Sequence, residues 1–177
     1  LRDAYDYAAD RNLPWQTHAA QSVTEFKEMI RRHGKTPIQW MDDIGVLGEH
    51  TIIGHGIFLD HHPWLHWSTR NDLGLIADNG VTVAHCPTVF MRRGIALQTF
   101  GGYLKAGINM GIGTDTYPHN YLEEMRNAGT VARAVAGSVA ARRTDTPPCR
   151  SSPSRGSLPQ TTVMVEARTL RMTIPSR

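Results

Sequence analysis

Cysteine is scarce in this chain, and so are long apolar runs and, toward its end, aromatic residues. Two cysteines in 177 residues, Cys86 and Cys149, cannot form a disulfide framework or a paired-cysteine metal site. That excludes a disulfide-stapled secreted scaffold and leaves a reducing, cytoplasmic compartment as the expectation. No stretch reaches the roughly 18 apolar residues of a helical membrane span, so no membrane partner is expected. The opening residues Leu1-Arg2-Asp3-Ala4-Tyr5 lack both an initiator methionine and a signal peptide's apolar core, and read as the interior of a longer chain.

The last 34 residues contain no Phe, Trp, Tyr, His or Lys, while Ser, Thr, Pro and Arg fill 21 positions. Such a composition cannot be relied on to bury a core. The sequence therefore divides into 1–143, ordinary globular material, and 144–177, an atypical tail that reads as disordered or frame-shifted. The net charge of +3 gathers in arginines from Arg142 to Arg177 rather than on one patterned face, and no nucleic-acid partner is expected.

What is present is a recurring strand-like run that ends in a metal-ligating residue type. Leu13–Thr17 leads to His18, Thr51–Gly54 to His55, Val81–Ala84 to His85, and Ile108–Thr114 to Asp115. The steps are 37, 30 and 30 residues, about one strand plus one helix each. In a parallel β/α protein, side chains at the carboxyl ends of strands face the ligand crevice. Any one of these histidines taken alone reads more readily as a hydrogen-bonded core or loop residue than as a ligand. Four strand ends carrying His, His, His and Asp read as a site for a borderline divalent metal.

Local signals fill the intervals. Ser22-Val23-Thr24-Glu25 predicts a capping box opening a helix over Phe26, Met29 and Ile30, closed at His33-Gly34. Thr36-Pro37 opens a second helix and Asn71–Asn79 a third. Phe58–Trp67 reads as an aromatic and histidine-rich loop that lines a pocket, acts as a lid or packs on the surface. Cys86–Gly94 reads as a loop whose Arg92 and Arg93 hold a polar substrate group or stand in solvent. The spacing from Tyr121 to Arg143 predicts a long helix burying Leu122, Met125, Ala128, Val131, Ala132 and Val135.

The motifs Thr17-His18-Ala19-Ala20, Gly54-His55-Gly56, Ala84-His85-Cys86-Pro87, Gly111-Ile112-Gly113-Thr114-Asp115 and Glu123-Glu124-Met125, in this order, resemble the second half of the amidohydrolase superfamily. The branch resembled is that of cytosine deaminase, methylthioadenosine or adenosylhomocysteine deaminase and triazine hydrolase. The resemblance implies an α/β fold, a partial (β/α)8 TIM barrel of strands five to eight with their helices, followed by the irregular tail. A closed eight-stranded barrel needs roughly 250 residues, more than are here.

The resemblance further implies a metal-dependent hydrolase acting on C–N or C–Cl bonds of amino-substituted heterocycles. One divalent metal, zinc or else iron, is implied, with His18, His55 and Asp115 as ligands. Asp115 would also move the proton and His55 would orient the water or polarise the substrate, while Gln21, His85 and Arg92 would contact a small-molecule substrate. Gln21 stands where deaminases of this branch carry a glutamate, and a glutamine hydrogen-bonds without exchanging a proton. A cyclic amidase or peptidase of the same superfamily, or an inactive fragment, are the alternatives. The full-length form is expected to be a homo-oligomer.

Overall fold

The computed structural model describes residues 1–97, 100–117 and 119–136, together with the backbone of 163–165 and 168–170. The expected alternation of strands and helices is present. α1 (Arg2–Ala9) precedes β1 (Trp15–Ala19), and α2 (Val23–His33) and α3 (Pro37–Asp43) lead to β2 (Thr51–His55). A 3₁₀ turn at Pro63–Leu65 and α4 (Asp72–Asp78) lead to β3 (Thr82–His85). α5 (Pro87–Met91) and α6 (Phe100–Lys105) then lead to β4 (Asn109–Gly113), and α7 (Tyr121–Ala136) follows.

β1 to β4 pair in parallel and in sequence order, so the protein is α/β with a four-stranded parallel core sheet. The register sets the two faces. Thr17, Ile53, Val83 and Met110 share one row, and Ile53 and Val83 are fully buried in a cluster with Ile38 of α3, Ile76 of α4 and Tyr103 of α6. His18, Gly54, Ala84 and Gly111 share the next row, whose side chains point the other way. Along β1 Trp15 and Ala19 are buried while Gln16 and His18 are exposed, so the helices cover one face of this strand and leave the other open.

Helix starts obey local chemistry. Ser22 accepts a hydrogen bond from the Glu25 amide, and Thr36 accepts from the Gln39 amide ahead of Pro37. The capping box predicted at Ser22 is completed differently, because the Glu25 carboxylate reaches back to the amides of Ala20 and Gln21 rather than to that of Ser22. Gly34 closes α2 in a left-handed conformation, as its place beyond the last apolar residue requires.

Two expectations need correction. The stretch after Cys86 is helical from Pro87 to Met91, because Pro87 at the first helical position costs no hydrogen bond and Val89 and Phe90 are buried by this turn. In α7 the buried stripe is Glu124, Ala128 and Ala132, whereas Leu122 is 76% exposed and Met125 45%. The helix is rotated because Glu124 spends its carboxylate on the Thr88 amide and Asn127 donates to the Thr88 hydroxyl, turning that side toward α5. Within 144–177, β5 (Val163–Val165) lies parallel to β4 and β6 (Arg168–Leu170) antiparallel to β5. Val163-Met164-Val165 is the part of the tail with strand-forming composition. The rest of 137–177 lies outside the described residues.

Candidate active site

The carboxyl end of the sheet gathers the sequence's candidate ligands unequally. His18 and His55 come together, their rings stacked with centroids 4.9 Å apart and planes 23° from parallel. By register His55 pairs with Ala19, one row beyond His18, and strict strand alternation would send the two side chains to opposite faces. The backbone at His55 is left-handed, with φ 78°, and this breaks the alternation. Gly54, in register with His18, leaves the space the ring needs: a Cβ there would lie 3.0 Å from His18 Cδ2.

Asp115 stands two residues past β4, itself left-handed with φ 57°, in a tight turn where the Thr116 amide donates to the Thr114 carbonyl. Left-handed non-glycine residues cost on the order of 1 kcal/mol or more and cluster where function holds the backbone in place. His55 and Asp115, the two residues expected to combine ligand and catalytic roles, both carry this strain. Asp115 is half-buried and acts electrostatically on both His55 and Cys86.

His55 is buried against Phe90, ring centroids 4.7 Å apart, and among the described residues neither ring nitrogen has a hydrogen-bond partner. Burial pushes its pKa down to about 4, with the Asp115 carboxylate pulling up and His18 pushing down. It is therefore a neutral imidazole at pH 7, with a lone pair free for a metal or a water. His18, in contrast, is exposed.

His85 ends β3, but its ring packs on Phe100 of α6, 5.8 Å between centroids, and it is buried with its pKa near 4 through burial and the neighbouring His55. It faces the helix layer behind the sheet. Gln21 is half-buried in the turn after His18, its amide held by Glu25. Arg92 is exposed at the C-terminal cap of α5.

Among the described residues, no three His, Cys, Asp or Glu side chains converge as a metal-holding group. The donor chemistry still fits a divalent metal in part: two adjacent imidazoles, one neutral with both nitrogens unpartnered, beside a carboxylate. Such a pair needs further ligands to complete a tetrahedral shell.

The sequence did not single out Tyr103, fully buried with its hydroxyl on the Gly56 carbonyl, or Glu25 beyond its capping role. Tyr103 sits between Phe100 and Leu104, where helical spacing marks only another apolar neighbour. The loop after β2 is mixed: Phe58 and His62 are buried, with rings 4.6 Å apart, while Trp64 is exposed.

Comparison with known proteins gives a consistent set of matches. The model of the amidohydrolase family matches residues 1–147. The 5-methylthioadenosine/S-adenosylhomocysteine deaminase of Thermococcus kodakarensis is 34% identical over 132 residues, covering 72% of this chain and 29% of that protein. The protein of the same name from Natronomonas pharaonis is 31% identical over 138 residues, with 76% and 30% covered. A zinc-bound adenosine deaminase from Xanthomonas campestris superposes with a TM-score of 0.65 at 23% identity, covering 81% of this chain and 33% of that one. Atrazine chlorohydrolase from Arthrobacter aurescens, complexed with zinc, gives 0.64 at 23% identity, with 78% and 29% covered. At such identity these two structures establish likeness of fold. The chain spans about three-tenths of the length of the curated relatives it matches.

Proposed function

Because this chain belongs to the amidohydrolase family, we propose that it forms the C-terminal half of the barrel of a metal-dependent hydrolase acting on C–N or C–Cl bonds of amino-substituted heterocycles. In this reading β1 to β4 are strands five to eight of a (β/α)8 barrel. The four parallel strands in sequence order and the partial coverage of longer relatives support that placement. The observation that carries the chemistry is the stacked His18–His55 pair, with Asp115 at the next strand end but one.

His18, His55 and Asp115 would hold one divalent metal together with ligands from outside this chain. The neighbours named as zinc-bound favour zinc. The metal, when bound, supplies Lewis acidity that makes water nucleophilic near neutral pH. Asp115 accepts the proton of the attacking water and returns it to the departing nitrogen. His55, neutral and desolvated, donates or accepts one hydrogen bond to orient that water. Gln21 hydrogen-bonds the substrate ring without exchanging a proton, so Asp115 alone carries proton transfer in this half. Arg92 would contact the substrate's periphery, while His85, expected from the sequence beside it, packs on Phe100 of α6 and would lie behind the site. The small molecule is an aminated ring, the substrate class named by the deaminase relatives.

Elemental analysis of the protein extended upstream tests the reading. About one zinc or iron per chain is expected, lost in Asp115→Asn and in His18→Ala. An extended protein without metal, or one whose metal content ignores both substitutions, overturns it.

A further inference from the structure

Two left-handed turns hold His18 and His55 side by side, and both are tied by hydrogen bonds that no metal or substrate contact explains. Ala20, fully buried with φ 55°, follows His18 by two residues, and Gly56, with φ 54°, follows His55 directly. The turns are stitched together by backbone bonds. The Gly56 amide donates to the Ala19 carbonyl at 3.1 Å, and the amides of Ile57 and Phe58 both donate to the Ala20 carbonyl, at 3.0 and 2.8 Å.

At one end of this clasp Glu25 accepts from the amides of Ala20 (2.9 Å) and Gln21 (2.7 Å), one to each carboxylate oxygen. At the other end the fully buried Tyr103 hydroxyl donates to the Gly56 carbonyl at 2.5 Å. A left-handed alanine and a left-handed histidine relax toward ordinary backbone unless their surroundings over-determine them. Glu25 has both oxygens committed to backbone donors, so it acts as an anchor and not as a proton carrier. Tyr103, reaching from α6 behind the sheet, fixes the peptide that follows Gly56.

We propose that Glu25 and Tyr103 are positioning residues that hold His18 and His55 in their stacked geometry by clamping the two strand-end turns from opposite ends. The assignment rests on the reading of that pair as the heart of the site. It is a statement about backbone orientation, and it holds for the chain free of metal.

The test is the nuclear Overhauser cross-peak between the His18 and His55 ring protons in the isotope-labelled, metal-free 177-residue chain. Glu25→Gln puts an amide NH₂ where one acceptor oxygen was, and Tyr103→Phe removes only the hydroxyl. Each is expected to weaken the cross-peak at least threefold while the amide spectrum of the remaining core persists. Thr51→Val is the control, because it removes a buried hydrogen bond to the Val46 carbonyl at the far end of β2. It should leave the cross-peak intact.

If one variant fails to fold, the other decides alone. The proposal is overturned if the folded variants keep the cross-peak, if Thr51→Val loses as much, or if the unaltered chain shows none. A parallel titration with Co²⁺, read by its visible absorption, compares the unaltered chain with His18→Ala. Indifference to that substitution sinks the metal reading, while the cross-peak still judges the clamp.

Discussion

At the scale of single residues, the site depends on positions where a side chain is missing as much as on those where one is present. Gly54 is the clearest case. An added Cβ would meet His18 Cδ2 at 3.0 Å, tighter than ordinary packing, so the ring would have to give way. Gly54→Ala should cost about 1–3 kcal/mol of stability and displace the His18 ring. Metal affinity of the extended protein is then expected to fall at least tenfold, measured by competition with a chromophoric chelator.

Buried histidines also set the acid limb of stability. Burial, then the adjacent His61, pushes His62 down to about 4, and burial with His55 nearby does the same for His85, both from 6.5. The unfolded chain therefore takes up protons first as pH falls, so stability is complete above 6.5 and drains away toward 4. Asp72 runs the other way. Burial raises it to about 6, giving a contribution present at low pH and lost as pH rises through 6. With His55 also pushed down to about 4 by burial, three histidines outweigh one carboxyl, so the thermal midpoint should drop by on the order of 5 °C or more between pH 6.5 and 4.5. His62→Gln should flatten that slope, and an unchanged slope would count against the burial of His62 as its cause.

At the scale of elements, connections are made by polar groups that serve two neighbours. Thr36 caps α3 and donates to Asp72 at the start of α4, while Asp72 also accepts from the Asp60 amide in the loop after β2. Glu124 does the same between α7 and α5, its carboxylate accepting from the Thr88 amide in the first turn of α5. Glu124→Ala leaves that amide without its acceptor, at a cost of about 1–3 kcal/mol. Urea unfolding should show it as a lower midpoint, with Glu124→Gln recovering part of the loss because its carbonyl oxygen still accepts.

At the scale of the whole molecule, the described surface carries exposed apolar groups. Tyr117, Leu122 and Met125 are exposed around the start of α7. Exposed apolar clusters of this kind drive association. The chain by itself is expected to elute well above its 19.7 kDa mass and to show no turnover. Leu122→Lys with Met125→Lys should shift it toward the monomer in size-exclusion chromatography with light scattering.

Much of the fold was legible because local chemistry and period agreed. Strand ends at His18, His55 and His85, the Ser22 and Thr36 caps and the Gly34 stop all follow from short-range rules, which need no knowledge of what lies across the sheet. The spacing of His18, His55 and Asp115 likewise placed them at successive or nearby strand ends, because one strand plus one helix has a nearly fixed length.

Orientation was the part that only the tertiary structure decided. The side on which α7 buries itself turned on Glu124 finding the Thr88 amide, and a carboxylate in an apolar pattern gives no sign of such a partner. The pairing of His18 with His55 turned on a left-handed φ at His55, and the facing of His85 toward α6 on Phe100 waiting there. Sequence determined which residues arrive at the carboxyl end of the sheet, since that depends on counting along the chain. Packing between distant segments determined where they point, since a side chain's direction depends on what fills the space beside it.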